Sequence, residues 1–253
     1  GRPMKSIVFI KRVPSTTTQV RIQDGVSLDP SGVEFELNPY DDFAVEEALQ
    51  QRESAGEGAV TAVSFGTADA RKELLTVLAK GADEALLLES ERAPAVDGAT
   101  TASILADAVR GKEFDLLLFG KQAVDRDQHG VGPAVATLLG VPCISEVVEI
   151  KIEGGTVHAK REVEGGHEEV EAPLPCAITC HKGLNEPRFA NLKGIMAAKK
   201  KPMETIQVEI PSPKVEVLSM EFPPERPEGR IIGEGAEAVP ALVDALRNEA
   251  KVL

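Results

Sequence analysis

The sequence predicts an α/β protein in which a parallel sheet lies between two layers of helices. Short apolar runs suited to buried strands alternate with longer amphipathic stretches suited to helices over residues 6–139. Within that region, residues 116–139 form a strand–loop–helix unit whose helix is opened by Gly130-Val131-Gly132-Pro133 and ended by Gly140. Parallel strands joined by helices place helices on both faces of the sheet, which gives three layers.

The first half of the chain supplies the other elements of this unit. Ser6–Ile10 is an apolar run typical of a buried strand. Asn38-Pro39 predicts the start of a helix that runs to about Gln51, because Asn is a good N-cap and Pro suits the first turn. Further strands are predicted at 60–65, 85–88 and 116–119, and further helices at 68–80 and 97–109.

Antiparallel hairpins are predicted on both sides of the helical region. The runs 20–23 and 33–36 flank a turn sequence and predict one hairpin. The runs 147–152, 156–163 and 167–172, separated by Gly-Gly pairs, predict two more, followed by a last buried strand at 176–180.

The carboxyl-terminal part of the chain is predicted to differ from this domain. A long loop starts at residue 182 and a basic run lies at 199–201, which we expect to be a solvated surface. Residues 211–227 are proline-rich, and 236–251 predict an amphipathic helix. We therefore expect an α/β domain at 4–210 and a connector with a helical arm at 211–253. The sequence leaves open whether the arm reaches another subunit or folds back.

Composition and net charge exclude several classes of function. A net charge of −13 argues against a nucleic-acid or anionic-membrane partner. No apolar run approaches the ~20 residues of a membrane span. We expect a cytoplasmic or mitochondrial-matrix-like compartment, since nothing at the N-terminus resembles a signal peptide. Cys143, Cys176 and Cys180 lack metal-ligand spacing and are predicted to be reduced core thiols. The four His residues lack ligand spacing too, so we expect no metal site.

The loop before the glycine-opened helix predicts an anion site. Free N–H groups and the positive end of a helix converge there. It is neither a P-loop nor a dinucleotide fingerprint, because Gly120-Lys121 is followed by Gln122, and Val135 stands where Gly or Ala belongs. An ordinary βα loop is the alternative. The segments that could reach a ligand beyond the strand ends are 9–13, 38–41, 65–67 and 120–132.

Four segments, in this order and spacing, resemble the electron transfer flavoprotein β-subunit family over nearly the whole chain. They are Lys11-Arg12-Val13-Pro14, Asn38-Pro39-Tyr40-Asp41, the string from Gly120 to Asp125 with Gly130 and Gly132, and Leu184 to Leu192 with Gly194-Ile195-Met196. The resemblance implies an adenine nucleotide α-hydrolase-like fold, a heterodimer with an α subunit that holds most of an FAD, and an AMP of structural role in this chain. In electron-bifurcating relatives, a second FAD replaces that AMP. Residues 97–103 match the bifurcating string only in part, and 185–188 resemble the AMP type.

The resemblance also implies which residues form the sites. Those expected to bind the cofactor are Phe9, Asn38, Pro39, Tyr40, Asp41, Phe65, Gly120, Gln122, Ala123, Asp125, Asp127, Gln128, Gly130, Val131 and Gly132. Residues 182–201 would form a recognition loop for acyl-CoA dehydrogenase-type flavoproteins, with Leu192 as its anchor and with Asn185, Pro187 and Arg188 beside it. The acidic Asp125 and Asp127 count against a phosphate beside them, and we expect them to bind ribose or to hold the loop shut.

The function predicted in this way is that of an electron carrier subunit, which passes electrons from such dehydrogenases to a membrane quinone oxidoreductase or another acceptor. Catalytic residues are not expected, because the redox chemistry belongs to the flavin. The alternatives are an electron-bifurcating subunit and a nucleotide-sensing protein of the universal-stress type. An ATP-dependent ligase on the same fold is less favoured, because the first strand is followed by Lys11-Arg12-Val13-Pro14-Ser15 instead of a pyrophosphate loop.

Overall fold

A mostly parallel sheet with helices on both faces organises the chain, as the sequence predicts. The computed structural model describes residues 2–253 and divides into one unit that ends at Ser219 and a second unit, Met220–Leu253. The strands are β1 (Met4–Ile10), β2 (Arg12–Pro14), β3 (Ile22–Gln23), β4 (Ser27–Leu28), β5 (Phe35–Leu37), β6 (Gly58–Gly66), β7 (Glu84–Glu89), β8 (Leu116–Gly120), β9 (Cys143–Glu153), β10 (Thr156–Val163), β11 (Gly166–Pro173), β12 (Cys176–Cys180) and β13 (Met203–Gln207). The α-helices are α1 (Pro39–Ala55), α2 (Arg71–Lys80), α3 (Gly98–Val109), α4 (Val131–Leu139), α5 (Leu192–Ala198) and α6 (Val239–Asp244).

The large sheet has the order β11-β10-β9-β12-β8-β1-β6-β7-β13. In this sheet order, every neighbouring pair from β9 to β13 is parallel. The strands β9, β10 and β11 form the two predicted antiparallel hairpins. The chain leaves β1 first towards β6 and β7, and later places β8 on the other side of β1. The strand order therefore reverses beside β1, and ligands of such sheets bind beyond the carboxyl ends of the strands at this place.

Two hydrophobic clusters fill the space between the layers. Alternate side chains of β1 lie on opposite faces, so Val8 and Ile10 join the cluster under α1 and α2, while Ile7 and Phe9 join the cluster under α3 and α4. Leu117 and Leu118 of β8 divide in the same way. Strands buried on both faces explain the unbroken apolar runs of the sequence.

The first predicted hairpin is wrong in its pairing. Residues 22–23 of β3 pair instead with 27–28 of β4, because Asp24 and Gly25 take positive φ angles and close a tight turn. β5 pairs with β2, directly after the first strand. Residues 35–37 therefore lie against 12–14, and this pairing brings the end of β1 close to the start of α1.

Two elements after β12, α5 and β13, were not predicted. α5 begins inside the predicted long loop, where Asn191 caps it by accepting a hydrogen bond from Gly194 N at 2.8 Å. β13 adds a parallel edge strand beside β7. The basic run ahead of β13 is not wholly solvated, because Lys201 Nζ donates to the carbonyls of Leu78 and Ala82 at the end of α2.

The second unit contains the predicted carboxyl-terminal helix in three pieces. A 3-10 turn at Ala236–Ala238 leads into α6, and a π-helical turn follows at Ala245–Glu249. Val239 and Leu242, two apolar side chains of this helix, are exposed.

Candidate functional site

The start of α1 holds the carboxyl ends of β1 and β8 together through Asp41. Its buried carboxylate accepts hydrogen bonds from Lys11 N at 2.7 Å and from Gly120 N at 3.1 Å. Burial raises the pKa of Asp41 to about 7, and these N–H donors together with Asn38 oppose the rise. Asp41 thus joins the two central strands at their switch point, and its contact with a ligand stays a prediction.

Gly120 is required by this close approach. A Cβ there would lie 2.4 Å from Asp41 Oδ1 and 2.7 Å from the carbonyl carbon of Tyr40. The last residue of β8 must therefore lack a side chain for α1 to reach the strand ends.

Asn38 contacts the loop after β8 instead of capping its own helix. It occupies the N-cap position of α1, but its fully buried side chain makes no cap hydrogen bond among the described residues. Its amide nitrogen donates to Gln122 O at 2.8 Å, and its amide oxygen accepts from Val124 N at 3.1 Å. The predicted side-chain cap is wrong, because the loop offers this amide both a donor and an acceptor. Pro39, next along, is exposed in the first helical turn.

The loop 121–130 is held by further side-chain contacts. Lys11 Nζ lies 2.8 and 2.9 Å from the two carboxylate oxygens of Asp125. Gln122 donates to Asp127 Oδ1 at 2.7 Å, and the N–H of Asp127 bonds to Ala123 O at 2.8 Å in a turn. The two acidic side chains that counted against a phosphate site therefore both have partners, Asp125 in Lys11 at the end of β1 and Asp127 within the loop, and their roles towards a ligand stay predictions.

The loop ends at the amino terminus of α4, which is open. Gly130 takes the N-cap position without a side-chain cap, and a Cβ there would have no neighbour within 4 Å in the described chain. The N–H groups of Val131 and Gly132 in the first turn are thus left for a ligand, and the helix dipole favours an anion.

Gly132, unlike Gly130, faces the core. A Cβ there would lie 2.9 Å from Thr179 Cγ2 and 3.1 Å from Phe119 Cγ. Its missing side chain lets α4 pack on the sheet. The sequence pattern predicts ligand contact for all the loop glycines and does not distinguish these two roles.

Aromatic side chains form the floor beneath α4. The rings of Phe9 and Phe119 are stacked with 4.4 Å between centroids and 3° between planes. Phe9 is buried, so a ligand could meet only its backbone, whereas Phe65 at the end of β6 is half-buried. Strand-end backbone groups beside an apolar floor suit a nucleobase, and the first turn of α4 suits a phosphate. The residues present therefore fit an adenine nucleotide.

A cluster of Lys121, His181 and Tyr40 at the same edge was not predicted. Lys121 Nζ lies 3.0 Å from His181 Nε2 and 5.3 Å from the centre of the Tyr40 ring. Tyr40 and His181 meet edge to face, with 6.2 Å between centroids. The only signal in the sequence is that Lys121 and His181 each directly follow a parallel strand, β8 and β12, so that neighbouring strand ends bring them together.

The predicted recognition loop is bound to α1 through two of its named residues. Arg188 contacts Glu46 at 2.9 Å and Glu53 at 2.6 Å, and Asn185 donates to Phe43 O and to Glu47 Oε2, both at 3.0 Å. Burial works against ionisation of Glu46, but bonds from Arg188 and Gln50 outweigh it and hold its pKa below the usual value. Pro187, between these anchors, is half-buried. These contacts give Asn185 and Arg188 an intrachain role, and contact with a partner stays a prediction.

Beyond these anchors the chain exposes apolar side chains. Phe189 is 93% exposed, Leu192 is 74% exposed and Met196 is 64% exposed. Leu192, Ile195 and Met196 have the i, i+3, i+4 spacing that places them on one face of α5. α5 itself is fixed against α2, since a Cβ at Gly194 would lie 2.2 Å from Ala79 O. We call Phe189, Leu192, Ile195 and Met196 the α5 surface.

Metal-binding and membrane-spanning features are absent from residues 2–253. No group of three or more His, Cys, Asp or Glu side chains in this part of the chain could hold a metal ion. None of its helices has the length and apolar character needed to cross a membrane. The three cysteines are free thiols, and Cys176 and Cys180 are buried.

Comparison with known proteins points to one family. The family model described as "Electron transfer flavoprotein domain" matches residues 26–211. The electron transfer flavoprotein subunit beta of Bacillus subtilis is 39% identical over 259 residues, which cover 99% of this chain and 100% of that protein. The subunits of the same name from Bradyrhizobium diazoefficiens and Sus scrofa are 36% and 35% identical, and the matches cover 99% and 98% of this chain and 100% and 99% of those proteins.

Proposed function

Because the chain belongs to the electron transfer flavoprotein β-subunit family, we propose that it pairs with an α subunit to carry electrons from acyl-CoA dehydrogenase-type flavoproteins to a membrane quinone oxidoreductase or another acceptor. The FAD, held mostly by the α subunit, accepts and donates the electrons when it is bound. This chain positions its partner proteins and carries an AMP. The α5 surface is the observation that carries the proposal, because exposed apolar side chains on an anchored helix suit a partner.

The exposed side chains of the second unit support pairing with the α subunit. Phe222 is 62% exposed and Ile231 is 88% exposed. Val239 and Leu242 of α6 are exposed too. An apolar segment of this kind, after a proline-rich connector, suits an arm that another chain covers.

The nucleotide part of the proposal is supported by the strand switch point. Asp41 and Asn38 hold the strand ends and the loop in place, so the open first turn of α4 is preorganised for an anionic group. The universal-stress alternative shares such a site, but it gives no reason for the α5 surface. The carrier function accounts for both features.

Gly130→Asp tests the nucleotide site without disturbing the core. Position 130 is open, so the side chain fits, but its carboxylate at the start of α4 competes with a phosphate for the same N–H groups. We expect the heterodimer, co-expressed with its α subunit, to keep its flavin spectrum and its melting temperature while bound AMP falls at least tenfold. AMP is measured by chromatography of the denatured extract.

Gly130→Ala is the matched control, and we expect it to retain AMP. Equal AMP in the Asp variant and in the parent would place the nucleotide elsewhere. A colourless preparation that contains both subunits would overturn the carrier function itself.

A further inference from the structure

Lys121 and His181 form a fixed pair at the carboxyl ends of β8 and β12. The N–H of Lys121 donates to Cys180 O at 3.0 Å, and the N–H of His181 donates to Val147 O at 3.0 Å. Lys121 Nζ lies 3.0 Å from His181 Nε2, and the Tyr40 ring lies beside both side chains. Hydrogen bonds to neighbouring strands therefore set the contact between the amine and the imidazole.

The hydrogen bonds of His181 determine which of its ring nitrogens carries the proton. Nδ1 lies 3.1 Å from Lys182 O, and a carbonyl oxygen can only accept a hydrogen bond. Nδ1 therefore carries the hydrogen of the neutral ring, and Nε2 presents its lone pair to Lys121. The Glu162 carboxylate lies 3.8 Å from the same Nε2, and its negative charge would stabilise an imidazolium there. His181 is thus placed as a base towards the Lys121 amine.

Lys121 differs in its partner from the other ion-paired or hydrogen-bonded lysines of residues 2–253. Five lysines donate to carboxylates, namely Lys5, Lys11, Lys80, Lys151 and Lys160. A carboxylate is too weak a base to take a proton from an amine in neutral solution, and it stabilises the ammonium form. Imidazole is a stronger base than a carboxylate. Within the described chain, Lys121 is the lysine whose side-chain partner can serve as a general base.

We propose that Lys121 is a site of covalent acylation by acyl thioesters, with His181 as its general base. The neutral Lys121 amine attacks the thioester carbonyl, an amide bond forms, and the carbon–sulfur bond breaks. The proton that the nitrogen loses passes to His181 Nε2 and then to the departing thiolate, which leaves as a thiol. Oxidation states do not change, so the reaction needs only the thioester. Lys121 is half-buried, and part of its side chain stays accessible to such a reagent.

The class of acyl donor rests on the proposed function, because a carrier that meets acyl-CoA dehydrogenase-type partners works where acyl thioesters are present. The reactivity of Lys121 does not rest on it, since the pair belongs to this chain alone. Acylation replaces the charged ammonium by a neutral amide. The positive charge that lies 5.3 Å from the centre of the Tyr40 ring would then be lost. The supply of acyl thioesters would thus set the charge at this edge of the sheet.

The test measures initial rates of acetylation at individual lysines of the heterodimer by peptide mass spectrometry. The probe is S-acetyl-N-acetylcysteamine, an uncharged thioester, so that the net charge of the protein does not bias the result. Lys151 is the internal reference, because its side chain is 70% exposed and pairs with Glu153. In the parent we expect Lys121 to react about tenfold faster than Lys151, although it is less exposed. In His181→Gln, which can still accept a hydrogen bond from Lys121 but is not a base, we expect Lys121 to react no faster than Lys151.

Two further variants separate base catalysis from a structural role of His181. His158→Gln removes an exposed histidine that pairs with Glu171, and it should leave the rate at Lys121 unchanged. In His181→Ala, free imidazole should restore the rate at Lys121 relative to Lys151, and failure to do so would leave His181 a structural role only.

Equal rates at Lys121 and Lys151 in the parent would overturn the proposal, and so would an unchanged ratio in His181→Gln. The parent comparison decides the question even if the variants do not fold. Flavin reduction by a dehydrogenase, recorded on the same preparation, tests the carrier function separately. A preparation that is acetylated at Lys121 but is not reduced overturns the carrier function and keeps the reactive lysine.

Discussion

The switch-point end of the sheet buries polar side chains, whereas the α5 surface exposes apolar ones. At the sheet end, Asn38 and Asp41 are buried, and their polar atoms form hydrogen bonds with backbone groups of neighbouring segments. At the α5 surface, Phe189 and Leu192 are apolar and exposed. A buried polar group that has its partners fixes geometry, and an exposed apolar group is available for association. The comparison teaches that hydrogen bonds between segments fix the first region, whereas the second leaves its apolar side chains free of partners within the described chain.

The largest expected effect is at Gly120. Gly120→Ala places a Cβ 2.4 Å from Asp41 Oδ1 and 2.7 Å from the Tyr40 backbone, so α1 must move away from the strand ends. We expect the free energy of unfolding to fall by about 4 kcal/mol, near the upper limit for single substitutions. Urea unfolding of the β subunit in the heterodimer measures it. Gly130→Ala adds the same methyl group in open space and should change stability by less than about 0.5 kcal/mol. Equal values for the two variants would show that the sheet end is not rigid.

Asp41→Asn should change the pH dependence of stability. The folded-state pKa of about 7 lies above the ordinary value of 3.8, so the folded protein binds this proton more tightly than the unfolded chain. Stability from this group is present at low pH and is lost as the pH rises towards 7. Asn does not ionise, so the variant is not destabilised in this way. The difference in free energy of unfolding between variant and parent should therefore rise by about 3 kcal/mol in favour of the variant from pH 5 to pH 8.

Denaturant titrations at several pH values measure this difference. A constant offset between Asp41→Asn and the parent would mean that Asp41 is already ionised at pH 5.

Arg188→Ala tests how the recognition loop is anchored. Glu46 is only 5% exposed on its side chain, and it would lose the cation that holds its pKa down. Because Arg188 itself is partly exposed, we expect a loss of about 2 kcal/mol, below the usual cost of breaking a fully buried pair. Hydrogen exchange should show faster exchange at 184–191, with β1 and β8 unchanged. Protection that is unaffected in this loop would show that Asn185 suffices as its anchor.

Local patterns in the sequence identify the elements but not the contacts that build the site. Asn38-Pro39 marks the start of α1 correctly, yet the Asn38 side chain bonds to residues more than 80 positions away, and no local pattern encodes that. Arg188 and Glu46 are 142 positions apart. α5, in contrast, had a readable signal: Asn191 as cap and apolar residues at 192, 195 and 196. Gly194 obscured it, because glycine lowers helix propensity while it permits the close approach to α2.

Leu192→Ala is the smallest expected change in energy and the sharpest test of the comparison. Leu192 is 74% exposed at the first position of α5, so truncation removes few contacts within the chain, and the melting temperature should stay within about 1 °C of the parent. A partner that covers this side chain would lose about 1–2 kcal/mol of binding free energy, roughly a five- to thirtyfold change in affinity, mostly through faster dissociation.

The measurement for Leu192→Ala is stopped-flow flavin reduction at varied concentrations of a cognate acyl-CoA dehydrogenase, with the flavin spectrum recorded before mixing. Leu218→Ala, at a leucine that is 82% exposed and lies outside the α5 surface, is the matched control. If Leu192→Ala lowers the melting temperature and leaves the rate of reduction unchanged, the residue serves packing and the α5 surface is not the dehydrogenase contact. If Leu192→Ala changes how the rate of flavin reduction depends on dehydrogenase concentration and leaves the melting temperature unchanged, Leu192 serves association and not packing. This result would keep the contrast between the exposed α5 surface and the buried Asn38 and Asp41.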